Sequence, residues 1–147
     1  MLRRTLLQLA CATLPMPIAQ IVEPANAAAP DGAKVAYHLS DLDKVDFVLG
    51  NIRNHYDGMG GPDKVAIALV VHGPALKAFH TAEATPDMSQ RTAALAKSGL
   101  QLNACINTMR ATNITLTDLL PGFVVADKGA VVRLAELQGQ GFAYLRP

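Results

Sequence analysis

Cys105 stands in the stretch Ala104-Cys105-Ile106-Asn107-Thr108-Met109-Arg110, where an apolar run gives way to polar residues. A thiol reacts as its thiolate, the form that attacks or accepts sulfur, and nearby donors and charges set how much thiolate exists. A helical turn beginning after the cysteine would aim the amides around Asn107 at the sulfur, and Arg110 would add positive charge. The competing reading is structural, because free cysteine is among the most buried residue types and often serves as a small hydrophobe. His72 closes a second apolar run just before Gly73-Pro74 and could be a base, a metal ligand or an anchor for the loop. His38 ends a third such run and reads as a hydrogen-bonded core histidine. His55 and His80 read as a helix-surface and a loop residue. No two histidines have close zinc-binding spacing. Cys105 with His72 would instead offer copper a soft thiolate and an imidazole. A phosphate loop, a G-x-S-x-G elbow and paired acids are all missing from the sequence, which leaves nucleotide and hydrolase chemistry unsupported.

These residues need a scaffold that brings three run ends together. Lys34–Leu39 reads as a strand. Ser40 follows as a helix N-cap, with an acid three residues on. The helix after it carries Val45, Val48, Leu49, Ile52, Tyr56 and Met59 on one face and stops at the glycines and proline of 58–62. Lys64–Val71 is a continuous apolar run of the kind buried on both faces of a parallel sheet. A short helix at 75–79 and a polar loop lead to a helix at Ser89–Lys97, with Ala93, Leu95 and Ala96 inward. Leu100–Ile106 is the third strand, helical turns follow at 108–112 and 117–120, and Gly122–Ala126 is the fourth. Lys128–Gln140 is a helix with Val131, Leu134, Ala135 and Gln138 on one face, and Phe142–Leu145 is the last strand. Strands separated by helix-length segments predict a three-layer α/β/α sandwich with a mostly parallel five-stranded sheet. Ligands of such sheets bind beyond the carboxyl ends of the strands. His38, His72, Cys105 and Asn107 all fall at that edge.

The first 27 residues read differently. Arg3 and Arg4 precede a short apolar run broken by Pro15 and Pro17, and Ala25-Asn26-Ala27 supplies small residues for cleavage. These are the parts of a secretory signal, and the apolar run is too short to span a bilayer. The arginine pair suits either the twin-arginine or the ordinary secretory route. Export to the periplasm is therefore expected, with residues 28–147 as one domain free of the membrane. Removing 27 of 147 residues leaves 120, and of 13 basic and 12 acidic residues leaves 11 of each. A balanced charge without a basic run argues against nucleic acid as partner. Cys11 departs with the leader, so Cys105 is unpaired in a compartment where cysteines usually form disulfides.

The segments Lys34–Asp41 (KVAYHLSD), Val48–His55 (VLGNIRNH), Val70-Val71-His72-Gly73-Pro74, Ala104–Arg110 (ACINTMR), Leu119-Leu120-Pro121-Gly122 and Gly141–Leu145 together resemble the DsrE/DsrF-like family, in particular its exported single-domain branch. The resemblance spans nearly all of 34–147. It implies a parallel α/β/α fold, assembly into trimers or hexamers, and a cysteine after the third strand that carries a persulfide, which corresponds to Cys105. The function expected is sulfur binding or transfer, as a carrier or transferase more than a turnover enzyme. His72, Asn107, Arg110 and His38 would line or polarise the site, no cofactor is called for, and the partners are sulfur donors and acceptors. The alternative is an oligomeric module holding copper or a small ligand with His72 and Cys105.

Overall fold

The computed structural model describes residues 32–147, and the expected leader lies outside the described residues. Five strands form one parallel sheet: β1 (Ala33–Leu39), β2 (Val65–Val71), β3 (Gln101–Cys105), β4 (Phe123–Ala126) and β5 (Ala143–Leu145). The order is β4-β3-β2-β1-β5, and every adjacent pair is parallel. The helices are α1 (Val45–Met59), α2 (Pro86–Lys97), α3 (Ile106–Ala111) and α4 (Ala130–Gly139), with 3-10 turns at Leu42–Lys44, Gly73–Phe79 and Leu116–Asp118. The α/β sandwich expected from the alternation of runs is the fold observed.

Topology decides which helix covers which face. From β1 to β4 the chain steps in one direction across the sheet, and then returns past all of these strands to place β5 beside β1. Right-handed crossovers put helices from opposite directions of travel on opposite faces. Accordingly α1 and α2 pack on one side, where Val48, Leu49 and Ile52 of α1 meet Val35, Leu39, Ile67 and Leu69 of the sheet. On the other side α4 sets Ala130, Leu134 and Leu137 against Ala36, Ala68, Val70 and Cys105. Residues 67–71 of β2 are fully buried, as its unbroken apolar run requires. Each large side chain buried so completely contributes about 1.5–3 kcal/mol of transfer free energy.

The details depart from expectation in several places, and Met59, expected on the apolar face of α1, is exposed at its end. Ser40 does not cap α1. A 3-10 turn intervenes, neither Asp41 nor Lys44 makes a side-chain cap, and the Ser40 hydroxyl instead binds Asp41 and Arg146. Helix α2 starts at Pro86 rather than Ser89, because Thr85 caps it by accepting the Met88 amide at 3.1 Å. It buries Met88, Thr92 and Leu95, leaving Ala93 exposed. Helix α4 begins after Gly129, and its inward face is Ala130-Leu134-Leu137, so Val131, Ala135 and Gln138 face outward. Ile106 opens α3 instead of ending β3.

Candidate functional site

Strand register explains why the polar groups meet. His38 pairs with Val70, Val70 with Asn103, and Cys105 with Ala126. Side chains alternate along a strand, so His38, His72, Asn103 and Cys105 all project from the face that α4 covers. Outgoing connections of β3 and β4 run to opposite faces, which opens a crevice between their carboxyl ends. Cys105 occupies that crevice from the β3 side, and Gly129-Ala130 approach it from the β4 side.

Cys105 is only 5% exposed. The Ala130 amide donates to Sγ at 3.3 Å. Burial pushes the thiol pKa up. The amides of Thr108, Ala130 and Asn107 and the Thr108 hydroxyl oppose it, and the balance lies below the ordinary thiol value. Thr108 can donate to sulfur because its oxygen accepts the Gly73 amide at 2.9 Å, leaving its own proton free. Gly129 is needed at its position: φ is +92°, and a Cβ there would stand 2.7 Å from Asn107 Nδ2. Close approach of the β4–α4 turn is what brings the Ala130 amide to the sulfur.

Beside this centre, His38 Nε2 and His72 Nε2 share a hydrogen bond of 2.5 Å, and His38 Nδ1 bonds the Tyr144 hydroxyl at 2.7 Å. The two imidazoles stack with centroids 4.8 Å apart. His72 lies two residues past Val70, the register partner of His38, which places it on the same face immediately beyond that ring. Burial lowers both pKa values, Arg146 lowers both further, His72 adds to the effect on His38, and Asp41 opposes. Both rings are therefore favoured as neutral.

A cleft of about 960 Å³ opens in front of Cys105, lined by His72, Asn107 and Thr108 together with Leu76, Lys77, His80, Ile114, Lys128 and Val131. The structure thus gathers Cys105, His72 and Asn107 in one cavity. His38 stands behind His72 and does not line it, while Arg110 is exposed at the end of α3 and turned away from it. Among the described residues no group of three or more His, Cys, Asp or Glu is disposed to hold a metal. The Nε2 of His72 is engaged with His38. The Thr108 hydroxyl, Gly129 and the Ala130 amide escaped the sequence reading, whereas the amides of the turn after Cys105 were expected there. Gly129 was the available signal, since a glycine inside the expected helix 128–140 marked its true start.

The sequence profile of the DsrE/DsrF-like family matches residues 27–147. The chain belongs to the DsrE/DsrF-like family. A solved structure of a protein of unknown function, MTH1491 from Methanobacterium thermoautotrophicum, is similar to this DsrE-like chain with 26% identity and a TM-score of 0.68, covering 78% of this chain and 99% of that one. No curated protein matches. Membership of the DsrE/DsrF-like family points to a role connected with sulfur relay.

Proposed function

We propose that this protein is an exported sulfur carrier in which Cys105 takes up sulfane sulfur as a persulfide and passes it on. The observation that carries the reading is the Ala130 amide's hydrogen bond to a buried thiol in the cleft, with the Thr108 and Asn107 groups beside it holding the thiol pKa below its ordinary value. Hydrogen bonds to the anionic sulfur favour the thiolate, and the same donors suit a terminal persulfide anion. Uptake is a displacement: the thiolate attacks a sulfane sulfur, the sulfur–sulfur bond of the donor breaks, and the donor leaves as a thiolate. Release to an acceptor thiolate is the same step in reverse, so neither needs an electron acceptor. His72 and Asn107 shape the wall beside the sulfur.

Mass spectrometry tests this directly. Purified protein exposed to inorganic polysulfide gains sulfur on Cys105, and the Cys105→Ala variant does not. An unmodified wild-type protein sinks the reading. Export follows the leader: after expression of the full chain, the periplasmic fraction contains protein whose first residue is Ala28, and cytoplasmic retention of the uncleaved chain overturns it. Assembly into homotrimers or homohexamers is read by light scattering, where a monomer rules it out.

A further inference from the structure

The cleft in front of Cys105 also carries information about the donor, an inference that rests on the persulfide reading. With Cys105 only 5% exposed, a donor must enter the cleft to touch the sulfur.

Much of the wall is apolar. Leu76, Ile114, Val131 and Val132 line the cavity, and Val131 and Val132 at the start of α4 are 74% and 41% exposed. The cations of the cleft already have carboxylate partners. Lys77 Nζ lies 3.2 Å from Glu83, which itself lines the cleft, and Lys128 Nζ lies 3.1 Å from Glu136. Among the described residues, then, neither cleft lysine is uncompensated.

A sulfur oxyanion such as thiosulfate would have to shed water from two charges and break the Lys77 pair against repulsion from Glu83. Each exposed pair is weak alone, so the cleft lysines return little of that desolvation cost. An apolar group entering the same space gains about fourfold in affinity per methylene buried.

We propose that the site selects a small organic hydropersulfide, R–S–SH, whose R group is uncharged and apolar, over inorganic sulfur oxyanions. The R group lies along Val131, Val132 and Ile114. The Cys105 thiolate attacks the outer sulfur, the S–S bond of the donor breaks and R–S⁻ departs to take a proton from water. The outer sulfur keeps its hydrogen as Cys105–S–SH, with no net oxidation or reduction.

The test measures the rate of sulfur addition to Cys105 by intact-protein mass spectrometry with n-hexyl hydropersulfide, glutathione hydropersulfide and thiosulfate at equal concentration. Wild type reacts fastest with the hexyl donor, and that rate saturates. Val131→Asn and Val132→Asn, singly and together, replace exposed side chains and change stability little. The double variant lowers the ratio of the hexyl rate to the thiosulfate rate by about tenfold. Comparing ratios removes the intrinsic reactivity of each donor. Thiosulfate matching the hexyl donor or a ratio unmoved by the substitutions overturns the selectivity. Failure of every donor, inorganic polysulfide included, overturns the persulfide reading itself.

Discussion

At the scale of residues, the central balance is between burial of Cys105, which raises its pKa, and the amide and hydroxyl donors that more than offset it. A purely structural cysteine would have the first without the second. Alkylation by iodoacetamide as a function of pH reads the outcome: its midpoint falls below the ordinary thiol value of 9.0, and a midpoint at or above that value removes the activated thiolate. Thr108→Val isolates one donor. It takes away the hydroxyl facing sulfur and the acceptor of the Gly73 amide, an interaction worth about 1 kcal/mol. Alkylation at neutral pH slows by about fivefold, while Thr108→Ser retains the wild-type rate. Of the site residues legible beforehand, Cys105, His72 and Asn107 share the cleft because strand ends converge at one sheet edge. Arg110 does not, since α3 carries it four residues past Ile106 to an exposed position. The Thr108 hydroxyl was invisible because its orientation depends on an amide 35 residues away.

Among the elements, α4 matters most, since its first amide donates to the sulfur at 3.3 Å. Sequence periodicity placed this helix correctly and its rotation wrongly. Val131-Leu134-Ala135-Gln138 and Ala130-Leu134-Leu137 both have helical spacing, and only the packed sheet chooses between them. The choice follows from the alanines Ala36 and Ala68, whose small side chains let α4 come close, and from a polar pin. Buried Asn103 accepts Arg133 Nε at 2.9 Å and donates to Gln101 O at 3.0 Å. Together these hold α4 against β3. Asn103→Ala strips Arg133 Nε of its acceptor and leaves a small void, lowering unfolding free energy by about 2 kcal/mol in urea titration. It also raises the alkylation midpoint of Cys105 as the Ala130 amide drifts. A variant that loses stability with an unchanged midpoint would separate α4 seating from thiol activation. Gly129→Ala tests the same element from its other end: it must adopt φ near +92° and displace Asn107, costing about 1–2 kcal/mol.

For the whole molecule, the parallel α/β class followed from alternating runs, whereas strand order did not. Nothing local to Ala143–Leu145 says that it returns across the sheet to pair with β1, and this return creates both the crevice at Cys105 and the contact of Tyr144 with His38. The link His72–His38–Tyr144 spans β2, β1 and β5, so its protonation bears on the integrity of the sheet edge. Arg146, Asp41 and Ser40 surround it. Both imidazoles have pKa values depressed below the ordinary 6.5. With a depressed folded-state pKa, the unfolded chain binds protons first as pH falls. The stabilising contribution is therefore complete above about pH 6.5 and is lost as pH drops through the lower folded-state values. Urea unfolding at about pH 7.5 and about pH 5.5 shows a decline that exceeds the decline of His38→Gln/His72→Gln. Since carboxylates titrate mostly below this window, the difference between wild type and variant reports the pair itself. Parallel declines in the two proteins would mean that the imidazoles titrate alike folded and unfolded, and the neutral stacked pair would have to be abandoned.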